Sequence, residues 1–341
     1  MMKAKLTVAV AALACQPLLA ADFLAIPKES GWSGYAGAGM GYYELQSNFV
    51  AGNGLRDLGD RNGDGLNAAP ETTGDWWPQP VVDLRYTFGD SGTQLFLGNL
   101  IQDQVRLDWT QQLGVRQRVG DWGIVGLSAL FSTVPTKVWD DPYNLGERGR
   151  TDRDSRGVRL SWDGIAGSTV GANYSFRKID VDNDIAGDSL ILTSRISDDE
   201  TQLLERDGNN HYLELYARWQ LSQRQQLIPA ISYNIRDRDG GAEKGDGKGF
   251  QVTYVFISKA YSFTTTGYVG SRDYDQDNPV YDRKADADEY GINAIGFWHN
   301  PLGFENWEAR FSLTYVESDS DIRFYDSSLY GGGISLVYKL R

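Results

Sequence analysis

Beyond residue 32, apolar and polar residues take turns along one short segment after another. In the clearest, Val105, Leu107, Trp109, Leu113 and Val115 alternate with Arg106, Asp108, Thr110, Gln112, Arg116 and Arg118. Phe250, Val252, Tyr254 and Phe256 interleave with Gln251, Thr253 and Val255, and Trp307 to Tyr315 repeats the pattern. A period of two puts successive side chains on opposite faces of a strand, and stretches of helical period are short and rare here. Fourteen segments can be laid down, beginning near residues 33, 80, 93, 104, 121, 156, 168, 210, 226, 248, 260, 288, 306 and 329. Most run near the ~9–11 residues that a tilted strand needs to cross a bilayer. The last, YGGGISLVYKLR, sets Ile334, Leu336, Tyr338 and Leu340 on one face and small or polar residues on the other.

The connections alternate in length. Six short turns fall at 89–92, 120–121, 163–167, 222–225, 258–260 and 300–306. Between them lie seven loops near 46–79, 101–104, 133–155, 180–209, 237–247, 271–289 and 317–328, of which the second alone is short. Acidic residues sort the same way, with 34 of the 46 Asp and Glu in the long loops. A soluble sandwich has no reason to sort its loops by length, whereas transmembrane barrels join their strands by tight inner turns and longer outer loops. The expected fold is all-β: a transmembrane, antiparallel, up-and-down β-barrel of about 14 strands, within a range of 12–16. Its last strand should close on the first near Tyr35 to Tyr43, with no second domain. The stretch SDDETQLLERD from Ser197 is expected to form a helical turn or two, capped by Ser197 or Asp198.

The N-terminus sets the compartment. Lys3 and Lys5 precede an apolar run from Leu6 to Ala14, then Pro17 and the small residues Ala20 and Ala21. This is the pattern of a secretory signal peptide over residues 1–21, leaving a single barrel domain over 22–341. Cys15, the sole cysteine, falls inside the leader, so no disulfide is expected. The rival reading makes Cys15 a lipidated first residue. A net charge of −13 disfavours nucleic acid as a partner, because phosphates would be repelled. No apolar run past the leader approaches the ~20 residues of a membrane-spanning helix.

The leader, the fourteen alternating segments and the ending GISLVYKL resemble a Gram-negative outer-membrane barrel of porin type. The glycine followed by Leu336 and Tyr338 is similar to the C-terminal signal read by the barrel-assembly machinery, departing from it in ending Leu340-Arg341 rather than on an aromatic residue. The run IPKESGWSGYAGAGMGYYELQSN resembles an uncharacterised family of proteobacterial outer-membrane proteins. That resemblance implies a fold and a location in the outer membrane, amid its lipid and lipopolysaccharide, and assigns no activity.

Candidate chemistry follows from the polar faces. Taken as interior, they carry Arg85, Arg106, Arg116, Arg118, Arg159, Arg177, Arg218, Arg236 and Arg310 against Asp83, Asp108, Glu214 and Glu308. A barrel this wide has room for an aqueous passage, and arginines inside a pore favour anions. The expected function is passive diffusion of small hydrophilic solutes, anions among them, through a constriction below a wide mouth of mobile acidic loops. The bland alternative is that the arginines pair with acids and brace a closed barrel. A non-conducting surface protein whose loops bind divalent cations, lipopolysaccharide or a partner is the second function class. In the first loop, Asp60, Asn62, Asp64, Gly65 and Glu71 match the spacing of a calcium-binding loop, although Asn67, Pro70 and the lack of flanking helices count against Ca²⁺ as a cofactor. Trp109, Trp122, Trp162, Trp219, Trp298 and Trp307 are expected in interfacial girdles. His211 and His299 lack a partnering nucleophile, so an enzyme is not expected.

Overall fold

The computed structural model describes residues 25–57, 65–103 and 108–340. The expected leader, with Cys15, lies outside them. The alternating segments form strands β1 (Gly31–Gln46), β2 (Thr72–Phe88), β3 (Thr93–Asp103), β4 (Asp108–Arg118), β5 (Ile124–Phe131), β6 (Arg150–Asp163) and β7 (Val170–Val181). There follow β8 (Gly208–Ala217, continued by Trp219–Ser222), β9 (Gln225–Arg238), β10 (Gly245–Ile257), β11 (Tyr261–Tyr274), β12 (Ala287–His299), β13 (Trp307–Ser320) and β14 (Ser327–Leu340). Each pairs antiparallel with its sequence neighbour. β14 closes the ring on β1, from Gly34 opposite Leu340 to Gln46 opposite Ser328. The protein is a closed, antiparallel, fourteen-stranded barrel.

All six short turns fall where the turn residues placed them. Several loops are shorter than their composition suggested, because the strands run further out: β2 begins at Thr72 rather than near 80, and β6 at Arg150 rather than near 156. The long strands have 14 to 17 residues. At ~3.3 Å per residue and a tilt of ~40°, fourteen residues rise ~35 Å, above an apolar band of ~25 Å. The excess stands on the loop side, above the membrane. There polar residues occupy both faces and the alternation that marks a strand disappears.

Within the band the two faces are cleanly sorted. Leu113, Leu127, Leu160, Leu213, Ile231, Ile292, Leu313, Ile334 and Leu336 point outward and are exposed, as a lipid-facing surface requires. Trp32, Trp122, Trp219, Tyr261, Trp298 and Trp307 ring the turn side, and Tyr42, Trp76, Tyr233, Tyr290 and Tyr330 ring the loop side. Trp162 sits in the turn-side ring, its indole N–H donating to the Trp122 carbonyl at 2.7 Å. The two rings mark the interfaces, where an aromatic side chain keeps its body in lipid and its polar edge in water.

One sector of the wall is irregular. β5 ends at Phe131, and after a four-residue excursion the chain re-forms as a short strand, Thr136–Trp139, still paired with β6. Its free edge is taken by Val50–Asn53 from the first loop. The first loop is therefore built into the sheet, which satisfies backbone groups that would otherwise be left bare.

The closing seam is tight. A Cβ added at Gly39 would lie 2.0 Å from the Ile334 carbonyl oxygen and 2.4 Å from the Ser335 Cα, so only glycine permits this approach of β1 to β14. At Gly267 on β11, an added Cβ meets nothing within 4 Å. Gly39→Ala should cost about 1–3 kcal/mol as an overpacked site and lower the temperature at which the compact gel form of the barrel converts to the unfolded form. Gly267→Ala should leave that temperature unchanged. Equal behaviour of the two variants would show that the seam does not depend on this contact.

Candidate functional site: a capped, charged lumen

The long loops do not surround an open mouth. Contrary to the expectation of a wide, mobile acidic vestibule, they fold together over the barrel into a cap with its own hydrophobic core. Leu66 comes from the first loop, Tyr143 from 132–149, and Ala186, Leu190, Ile196 and Leu204 from 182–207. Ala242, Val280, Ala285, Ile322, Phe324 and Tyr325 come from the last three loops and meet Tyr274 at the end of β11. Full burial of side chains this size is worth about 1.5–3 kcal/mol each, enough to order loops that their acidic composition alone would leave extended. Tyr143 stacks on Phe324 at 5.3 Å between ring centroids. Acidic residues skirt the cap, and the apolar residues scattered between them make its core.

Two polar locks hold the cap. In the first, Tyr143 and Tyr325 share a hydroxyl hydrogen bond of 2.7 Å, and the Asn278 amide donates to both, at 3.1 and 2.7 Å. The Tyr325 hydroxyl also reaches Glu243 Oε1 at 2.7 Å. In the second, Arg206 clamps Asp184 through Nε and Nη2 at 2.9 and 2.6 Å and donates to the carbonyls of Trp139 and Asp140 at 2.8 and 2.9 Å. Burial opposes the charge on Arg206, and Asp184 beside it more than restores it, so its proton is held more firmly than in water. Trp139 is fully buried, with the guanidiniums of Arg148 and Arg150 over its ring at 4.4 and 5.1 Å. Asp141 secures the start of helix α1 (Asp188–Ile191) by accepting from the Gly187 and Ser189 amides. Helix α2 (Asp198–Thr201) forms where the sequence placed it, with Ser197 and Glu200 in a capping box.

Below the cap, the inward faces of the strands carry the charges that alternation placed there. Near the turns, Arg85 is held by Asp83 at 2.8 Å, and Arg116 by Asp163 at 3.0 Å and Gln94 at 3.2 Å. The Tyr216 hydroxyl donates to Asp163, and Arg118 to the carbonyl of Ile26, a buried residue just ahead of β1. Arg218 projects inward at the same level, its backbone N–H donating to the Thr169 carbonyl at 2.9 Å. At mid-height Arg159 donates to Ser175 at 3.2 Å, and Glu214 accepts from Asn173, Gln251 and Tyr212 at 2.8, 3.1 and 3.1 Å. Arg310 lies opposite Ser335 on β14 and acts electrostatically on Tyr43. The inner face is closely packed: Arg116, Arg159, Arg177, Arg236 and Arg272 retain only 3 to 9 % of their exposure.

Arg106 lies outside the described residues, as do the side chain of Asp108 and, in the calcium-like stretch, Asp60, Asn62 and Asp64. Of that stretch the structure shows Glu71 exposed to solvent, Leu66 buried in the cap and the Pro70 carbonyl accepting from Gln46 at 2.8 Å. Among the described residues, no cluster of three His, Cys, Asp or Glu is placed to hold a metal. The two histidines stand on opposite faces: His211 outward, bonded to Tyr174 at 2.8 Å, and His299 inward, bonded to Glu308 at 2.8 Å.

Sequence reasoning missed Asp163, read as the start of a turn, and four charged groups on the loop side. Arg153, Arg238 and the Arg272–Glu289 pair (2.6 Å, both nearly fully buried) fell inside stretches read as loops. They lie on the strand ends above the membrane, where both faces are polar and alternation gives no cue. A cleft of about 620 Å³ opens at the outer rim of β6 and β7, lined by Phe131, Arg156 and Val181 together with Asp154, Asp180, Asp182 and Asp207.

An apolar exterior with two aromatic rings, a polar charged interior and a closed antiparallel wall define an outer-membrane β-barrel of porin-like type. Residues 31–339 match the family described as "Protein of unknown function (DUF2860)", and the chain belongs to that family. No curated protein matches it by sequence. Among solved structures, it is similar to the anion-selective porin from Comamonas acidovorans at 9% identity, over 92% of this chain and 99% of that one, with a TM-score of 0.40. It is also similar to the outer-membrane channel DcaP of Acinetobacter baumannii at 10% identity, over 92% and 97% of the two chains, TM-score 0.40. A third likeness is to the TodX monoaromatic hydrocarbon channel deltaS2 mutant, at 9% identity, over 92% and 91%, TM-score 0.48. Likeness at this level assigns no activity.

The acidic skirt makes the cap sensitive to pH. Partial burial, and next Asp141, Asp198 and Asp184, raise Asp188 above its ordinary value. Burial followed by Asp239, Asp184 and Asp207 does the same to Glu205. Asp207 is raised by burial, offset in part by the Val181 amide. A carboxyl raised on folding opposes the folded cap while it is charged, above its folded pKa. That opposition is relieved as pH falls through the folded value towards the ordinary one near 4. The cap should therefore be tighter at pH 5 than at pH 7.5. Hydrogen exchange in 182–207, corrected for intrinsic rates, should be slower at pH 5, and faster exchange there would contradict this account of the skirt.

Proposed function

We propose that this protein is a gated outer-membrane channel for small hydrophilic solutes, anions preferred, that rests with its outer mouth shut. The observation that carries the reading is the combination of a charged inner face within a closed wall and a separately packed cap over one end. A barrel meant only as a scaffold has no need of a polar interior walled off from lipid, and a constitutively open pore has no need of a hydrophobic core across its entrance. The inward arginines favour anions, because charges in a confined passage are screened less than those in open water. In this reading residues 1–21 are a cleaved leader, the barrel-assembly machinery inserts the chain, and lipopolysaccharide surrounds its outer rim.

Arg206 gives the most direct test. Replacing it by Gln leaves Asp184 buried without its partner, a change that costs about 3–5 kcal/mol where a buried pair is broken. In planar bilayers the refolded wild type should show rare, brief openings, and Arg206→Gln should conduct steadily with a reversal potential shifted towards anion permeability. A silent bilayer for both proteins would overturn the channel reading.

A second reading has its own observation. On the outward face of the strand ends, just above the loop-side aromatic ring, Asp154 stands opposite Asp180, Asp246 opposite Asp273 and Asp288 opposite Asp319. Like charges directly opposed across a ladder are destabilising unless cations sit between them. Lys248, 4.0 Å from Asp246 and 3.7 Å from Asp273, supplies one such cation, and Arg156, 3.5 Å from Asp180, and Lys178, also on Asp180, supply two more. This belt fits a barrel anchored to lipopolysaccharide phosphates through divalent cations. Millimolar Mg²⁺ should then raise the thermal stability of the wild type by several degrees and of an Asp246→Asn/Asp273→Asn variant by less.

A further inference from the structure

Directly beneath the cap, the inner wall gathers cations. Strand pairing sets Arg177 of β7 opposite Asn210 of β8, and Asn210 opposite Arg236 of β9, so one row across three strands reads Arg–Asn–Arg. Arg238 stands two residues further out on the same face, opposite Gly208, and Arg153 of β6 lies opposite Val181 of β7. The charges of Arg236, Arg153 and Arg177 all bear on Arg238 and oppose its own. Arg177 and Arg236 are nearly fully buried, at 3 and 6 % exposure.

A carbonyl, a hydroxyl and an aromatic ring each contact one of these guanidiniums. Arg238 Nη1 donates to the Asn209 carbonyl at 3.0 Å, and Arg177 Nη1 to Ser155 Oγ at 3.2 Å. Arg236 Cζ sits over the Tyr274 ring, 4.3 Å from its centroid, and its buried Nη2 has no hydrogen-bond partner within the protein. A buried cationic N–H left without an acceptor is costly and marks a place for one. The carboxylate that faces Arg238 is Glu243, which also draws on Arg206 and accepts from Tyr325 in the first lock of the cap. Glu243 thus divides its charge between the cap and the arginine cluster.

We propose that Arg236 and Arg238, with Arg177 and Arg153 beside them, form a binding site for an oxyanion of two or more negative charges, which replaces Glu243 as the counter-charge of Arg238. The planar fork of a guanidinium matches two oxygens of one phosphoryl or carboxylate group, a geometry that a halide cannot use. The proposal deepens the channel reading, on which it rests for the route of entry, by naming the solute class. It also couples that solute to the gate, because an anion that frees Glu243 from the arginines alters the carboxylate to which Tyr325 is tied.

Inorganic pyrophosphate is a suitable probe, titrated calorimetrically into the refolded, detergent-solubilised full chain at low salt with chelator present. Saturable binding is expected, and chloride at equal ionic strength should not reproduce it. Arg236→Gln and Arg238→Gln should each weaken it about tenfold or more, the loss expected when a hydrogen-bonded charge is removed. Glu243→Gln should strengthen it, and Arg156→Gln, on the outward face of β6, should leave it unchanged. Should either glutamine variant at 236 or 238 fail to fold, Arg236→Lys, which keeps the charge but loses the fork, should still weaken binding. Absence of saturable binding in the wild type would overturn the site, as would weaker binding in Glu243→Gln. Binding in a protein whose bilayers stay silent would uphold the site and overturn the channel, and conduction without binding would do the reverse.

Discussion

Every other feature of this molecule depends on one constraint: inside a bilayer, each backbone N–H and C=O must find its partner within the protein. A sheet can meet it only by having no edge. The seam between β1 and β14 is where the condition is met or lost. There the chain places Gly37 and Gly39 against Leu336, Val337, Ile334 and Ser335 at distances no side chain would allow. Thirteen consecutive residue pairs, from Gly34–Leu340 to Gln46–Ser328, bring together the two ends of the domain. Closure creates an inside, and the polar faces of fourteen strands then have somewhere to go other than lipid.

What closure encloses is more tightly organised than a wide pore. Arg85 with Asp83, Arg116 with Asp163, and Arg272 with Glu289 form pairs at successive heights. Buried ion pairs add little stability by themselves, since desolvation offsets most of the attraction. Their effect is to fix side chains across a lumen that water alone would leave loose. The ion pairs are the bracing that the inward charges allow. Arg85–Asp83 and Arg116–Asp163 lie near the turns and Arg272–Glu289 lies on the loop side, with Arg177 and Arg236 on the same inner face beneath the cap.

The cap follows from a different force. Burial first, and then neighbouring acids, raise the carboxyls of Asp188 and Glu205, and charge alone would spread the loops apart. Apolar burial around Tyr143, Phe324 and Leu204 overcomes that repulsion, and Arg206 and Asn278 give the assembly a single arrangement. A structure held by one force against another is suited to being released by a modest change in either. Glu243, which serves both the cap and the arginines below it, stands where such a change would be felt.

The sequence by itself determined the barrel. Period-two alternation, tight turns at residues such as Gly89–Gly92 and a segregation of acids into long connections leave no other way to bury the apolar faces, and strand number, sidedness and the inward direction of Arg85, Arg116, Arg159, Arg218, Glu214 and Arg310 all follow from local chemistry. Local chemistry could not show the cap. Leu66, Tyr143, Leu204 and Tyr325 lie in stretches that are mostly polar, and they form a core only because the closed barrel holds six loops over one mouth. Nor could it show Arg153, Arg238 and Arg272 as lumen residues, because above the membrane both faces of a strand are wet and the pattern that separates inside from outside is gone. Which cations stand together is set by the register between the neighbouring strands β6 to β9, and which carboxylate they share with the cap by how the loops fold over them.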